Sequence, residues 1–117
     1  MASKLKEGST NADNIALLSA LCEVNETLRN ISPRWKMQVL HSIQGGLRQF
    51  SLLKEAFPSL SDQVLAKRLS ELVTAGLTDK TEVTNTIPQQ ILYTPTEKGE
   101  ELLKIINDLH QWKIRWK

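Results

Sequence analysis

Gln63, Lys67 and Ser70 follow one another at spacings of four and three residues, so a helix carrying them would present all three on one side. Their chemistry is hydrogen bonding rather than bond breaking. A glutamine amide such as Gln63 can pair with adenine, and Lys67 can reach guanine or a phosphate. Ala66 and Ser70 are short enough to allow close approach. Ser61, together with the free N–H groups of a helix start, could hold a phosphate. The plainer alternative is the wet face of a surface helix, which draws on the same residue types.

Other reactive residue types are sparse. One cysteine, Cys22, excludes an intramolecular disulfide and a cysteine-based zinc knuckle. It falls on an apolar stripe, which favours a packing role. His41 and His110 have no cysteine or carboxylate at ligand spacing, so neither a metal nor another cofactor is expected. Trp35, Trp112 and Trp116 could line a small-ligand cavity, although such residues more often anchor a core or an interface. There is no Ser-His-Asp order, nucleophile elbow, phosphate-cradling glycine loop or carboxylate pair, and hence no enzyme constellation.

The 117 residues, 40% hydrophobic and 24% charged, suit one folded domain. No apolar run approaches the roughly 18 to 20 residues that span a bilayer, and no apolar block follows Lys4 and Lys6 as in a secretory signal. A soluble protein of the cytoplasm, away from membranes, is expected. The net charge of +2 is unevenly distributed. Residues 1–28 carry −2, residues 29–80 carry +4, and residues 81–117 are neutral. The middle excess is modest and does not by itself identify a nucleic-acid partner.

The surrounding pattern supplies elements that could position these groups. Residues 1–11 read as a mobile polar arm, and 12–117 as the folded domain. Ile15, Leu18, Leu21 and Cys22 mark a first helix, and Val24, Leu28 and Ile31 a second short turn or helix. Ser32-Pro33 predicts a helix start, with Trp35, Val39, Leu40 and Ile43 inside and Gly45-Gly46 as the stop. Leu47 to Phe50 reads as a strand stub. A short helix holding Leu52, Leu53 and Ala56 ends at Pro58. Ser61 then caps a regular helix with Leu65, Leu69 and Leu72 on its buried stripe. Leu77 to Val83 and Gln90 to Tyr93 predict two strands, and a last helix begins at Thr94 or Thr96. The fold class is therefore mainly α with a small β-hairpin. A short helix, a tight turn and a regular helix form a helix-turn-helix, and the hairpin after them forms a wing.

At this level the chain resembles the HxlR-type winged helix-turn-helix transcriptional regulators, from Cys22 to about Trp112. The landmarks are Cys22, Leu28 and Ile31 leading to Arg34-Trp35-Lys36; Arg48-Gln49-Phe50 with Leu53; Leu60-Ser61-Asp62-Gln63-Val64-Leu65, continued by Ala75-Gly76-Leu77; and Tyr93 followed by Thr96-Glu97-Lys98-Gly99. Several positions depart from the family pattern. Glu23 stands in place of a proline, Ser32-Pro33 in place of two glycines, and Pro88-Gln89-Gln90 in place of Pro-Pro-Arg. Pro95 replaces an apolar residue.

The resemblance implies a homodimer, built from the N- and C-terminal helices, that binds operator DNA. Ser61, Gln63, Lys67 and Arg68 are expected to act from the recognition helix. Expected phosphate contacts are Arg34, Lys36, Arg48 and Lys80, with Gln90 on the wing. Ile15, Leu18, Leu102, Ile106, Leu109, Trp112 and Trp116 are the expected dimer contacts. The resemblance also implies a small-molecule or oxidant effector, with Cys22 as a redox-sensing thiol. The rival expectation is a winged helix that binds protein and has no specific DNA site.

Overall fold

The computed structural model describes residues 11–117. The chain divides into two compact units, residues 1–33 and 34–117. Apart from Asn11, the arm expected over residues 1–11 lies outside the described residues.

In the first unit, α1 (Asn11–Ile31) is one continuous helix. The expected separate turn at Val24, Leu28 and Ile31 is absent, because Glu23 to Thr27 contain no glycine or proline to interrupt the backbone ladder. Pro33 follows the helix, as its missing N–H and its ring require. The hydroxyl of Ser32 donates to the Arg29 carbonyl at 3.4 Å, so Ser32 closes α1 instead of opening the next helix. No residue of α1 is buried, and Ile15 and Leu18 are 63% and 61% exposed.

The second unit runs α2 (Lys36–Gln44), α3 (Phe50–Ala56), α4 (Asp62–Thr74), β1 (Thr78–Val83), β2 (Gln90–Pro95) and α5 (Glu97–Arg115). Helix α2 starts later than Ser32-Pro33 predicted. Its cap position is Trp35, in a left-handed conformation (φ 75°) and without a side-chain cap bond. Tertiary contacts hold it there. The Trp35 ring meets Phe57 edge-on at 5.9 Å, and the Arg34 guanidinium lies 5.2 Å from the Trp35 ring centre.

Val39, Leu40 and Ile43 of α2, Leu53 of α3, Leu65, Leu69 and Leu72 of α4, and Leu103 of α5 close around one core, joined by Leu60, Leu77 and Tyr93. This is the apolar periodicity of each segment made physical. The strands pair antiparallel, with Thr78 opposite Pro95 and Val83 opposite Gln90. Leu47 to Phe50 forms no strand. It gives the hairpin one link, the Tyr93 amide donating to the Arg48 carbonyl at 2.8 Å. Helix α5 begins at the later of its two candidate caps, where the Thr96 hydroxyl accepts from the Gly99 amide at 3.0 Å. Gly99 lies so close to the hairpin that an added Cβ would stand 2.2 Å from the Leu77 carbonyl oxygen.

Candidate nucleic-acid interface

Helix α4 is built as the sequence predicts. Ser61 sits in extended backbone and its hydroxyl accepts from the Val64 amide at 3.1 Å, satisfying one of the orphan donors of the first turn. Leu65, Leu69 and Leu72 anchor the inner stripe. That anchoring turns Gln63, Ala66, Lys67 and Ser70 outward, all exposed. Asp62, in the first turn, pairs with Lys54 at 3.6 Å, and Lys54 also donates to the Leu60 carbonyl. These contacts tie α3 to the start of α4 across the helix-turn-helix turn, although an exposed pair of this kind contributes only about 0 to 1 kcal/mol.

The hairpin stands beside the outer edge of α4. A hollow of about 240 Å³ separates them, lined by Ala66, Ser70 and Thr74 from α4, Lys80 from β1 and Tyr93 from β2. Lys80 is thus brought to the same surface as the outward residues of α4. Gln90 is not. It pairs with Val83, three register steps from the Lys80–Tyr93 pair, and this odd number puts it on the opposite face of the hairpin.

Three expected DNA contacts have partners within the protein. Lys36 is a buried residue, its side chain 8% exposed, with its ammonium 3.7 Å from a Glu71 carboxylate oxygen. Arg68 has a side chain 15% exposed. Its Nη1 donates to both Glu71 carboxylate oxygens, at 3.1 and 3.3 Å, and its Nε donates to the Arg34 carbonyl at 2.8 Å. Arg34 itself is exposed, but its guanidinium is stacked on Trp35. Lys36 and Arg68, both expected DNA contacts, are thus engaged within the protein. The reading from sequence missed Glu71. Its spacing of three from Arg68 was the one available signal. Arg48 is half-buried, and the contact it makes with the hairpin is through its backbone.

The remaining expected residues divide by exposure. Leu102 is half-buried against the core of its own unit. Ile106 is half-buried as well. Leu109, Trp112 and Trp116 are exposed, as are Ile15 and Leu18 of α1. Cys22 is a free, exposed thiol, against the burial its apolar stripe implied. His41 and His110, far apart in sequence, line one open groove between α2 and α5 with Met37, Phe57 and Leu103. None of the three tryptophans lines that groove. Among the described residues no group of three metal-ligating side chains occurs, and no helix is long and apolar enough to cross a membrane.

This geometry has counterparts among known proteins. A family model described as HxlR-like helix-turn-helix matches residues 30–117. The HTH-type transcriptional regulator YvaP of Bacillus subtilis is 33% identical over 86 residues, covering 74% of this chain and 79% of that protein. Among solved structures, a protein of Enterococcus faecalis V583 described as a MarR-family transcriptional regulator superposes with a TM-score of 0.76 at 25% identity, covering 82% of this chain and 86% of that one. The reduced form of the transcriptional regulator YodB from B. subtilis superposes with a TM-score of 0.70 at 26% identity, covering 77% of this chain and 87% of that one. YodB has also been solved after diamide treatment.

Proposed function

The chain belongs to the HxlR-like helix-turn-helix family, and from that premise we propose how it works as a DNA-binding transcriptional regulator. A homodimer in the cytoplasm grips operator DNA, with one α4 from each copy in successive turns of the major groove. The carrying observation is the outward set Gln63, Ala66, Lys67 and Ser70 on a helix capped by Ser61. Two short residues interleaved with two hydrogen-bonding ones allow α4 to approach base edges closely while Gln63 and Lys67 read them. Lys80, across the hollow from Ser70, supplies a phosphate contact that sets position rather than sequence. The regulators to which the chain is similar support this reading over a protein-interaction module without DNA.

Selection of duplexes from a random pool by the purified protein tests it. The expected result is a palindromic site whose affinity falls steeply with salt as phosphate contacts release counterions. Lys67→Ala should weaken that site by about 1 to 3 kcal/mol and relax preference at one base position, read by titration against single-base variants. Recovery of no sequence preference, with salt-insensitive binding, would sink the proposal.

YodB, solved reduced and diamide-treated, brings in a second reading. The exposure of Cys22 on α1 supports a thiol through which an oxidant alters DNA binding.

A further inference from the structure

Glu71 sits between two cations that the sequence would assign to DNA, and the contacts around it have a direction. Arg68 uses its fork twice. Nη1 engages both oxygens of Glu71, and Nε grips the Arg34 carbonyl at 2.8 Å. That carbonyl belongs to the peptide joining Arg34 to Trp35, and the orientation of this peptide sets the φ of Trp35. Trp35 is the one non-glycine residue with positive φ among the described residues. From the other side the buried Lys36 ammonium faces the same Glu71 carboxylate at 3.7 Å. One carboxylate thus organises two cations, and through them joins α4 to the left-handed start of α2, where the second compact unit begins.

We propose that Glu71 and Arg68 are positioning residues of the DNA-reading helix. They fix α4 against the Arg34–Trp35 peptide, and Glu71 keeps Arg68 and Lys36 from acting as indiscriminate phosphate contacts. This rests on the DNA-binding reading above. Its consequence concerns specificity. Arg68 and Lys67 are neighbours in sequence, yet a helix turns them about 100° apart. Lys67 is exposed, whereas Arg68 is committed to the protein. A guanidinium can make these two engagements at once because its donors are fixed in one plane; an ammonium at the end of a flexible stem cannot.

The test uses the full-length protein, a duplex selected by the wild type and a scrambled duplex, each titrated across a salt series. Arg68→Lys keeps the charge and loses the fork, and Arg68→Gln loses both. Both should weaken the selected duplex about equally, by roughly tenfold, without making the salt slope shallower. Glu71→Gln should lower affinity for the selected duplex and raise it for the scrambled one, so the ratio between them falls by roughly tenfold or more. If Arg68→Lys binds as the wild type does while Arg68→Gln loses about 0.9 from the salt slope, Arg68 is a phosphate contact and the inference is overturned. Should Glu71→Gln fail to fold, the Arg68 pair still decides. A wild type that selects no duplex overturns the DNA reading, and this inference with it.

Discussion

On α4 the direction of each side chain, more than its charge, decides its role. Lys67 faces solvent beside Ala66 and Ser70, whereas Arg68 turns back to Glu71 and the Arg34 carbonyl. The outward set was legible in the sequence because it depends only on helical period and on the leucine stripe. The commitment of Arg68 was not, since its backbone partner lies 34 residues away and no local pattern encodes that distance. Cys22 shows a related limit. Its apolar neighbours implied burial, but a stripe is buried only where something covers it, and no residue of α1 is buried. If the thiol reading holds, oxidant should release operator DNA from the wild type and leave the Cys22→Ser variant bound, in a gel-shift assay. Equal release from both would discard the reading.

At the scale of elements, boundaries set by local chemistry were read well and those set by tertiary contact were not. Ser61 caps α4, and Gly45-Gly46 end α2 with Gly46 in the left-handed conformation (φ 112°), both from residue type alone. The start of α2 was misplaced because Ser32 bonds backward to Arg29 while Trp35 is held by Phe57 and Arg34. The junction of α4, the hairpin and α5 is stitched by bonds that all end on backbone carbonyls. The Thr96 hydroxyl donates to the Gly76 carbonyl at 2.6 Å, Lys98 Nζ donates to the Ala75 carbonyl at 2.8 Å, and the Thr96 amide donates to the Leu77 carbonyl at 3.1 Å. Gly99 is the residue that lets these surfaces approach. A methyl group at that position meets a main-chain oxygen, which cannot rotate away as a side chain would. Gly99→Ala should therefore destabilise the fold by about 1 to 3 kcal/mol. Denaturant titration should show this as a lower midpoint with little change in slope. An unchanged midpoint would mean that α5 can slide along the hairpin.

For the whole molecule, the notable quantity is apolar surface left in water. Ile15 and Leu18 on α1 are uncovered, and at the end of α5 Trp112 and Trp116 are 55% and 76% exposed. Large apolar side chains exposed together on one helix mark an interaction surface more often than a free one, and this holds for each of the two helices separately. The proposed homodimer gives them a second copy to meet. Sedimentation equilibrium should show a dimer, and Trp112→Glu should shift it toward monomer and weaken operator binding, since two half-sites no longer act together. A wild type that stays monomeric at high concentration would exclude this assembly. The net charge of +2 per chain is small, but in each copy residues 29–80, the segment that contains the helix-turn-helix, carry +4.

The three tryptophans are placed in physically distinct surroundings. Trp35 lies half-buried between Phe57 and the Arg34 guanidinium, whereas Trp112 and Trp116 stand in water near the C-terminus. Their intrinsic fluorescence therefore divides into two populations. One indole senses the packing where α2 begins, and two sense whatever covers the last turns of α5. The molecule carries separate optical reporters for its folding and for the proposed association, with no added label.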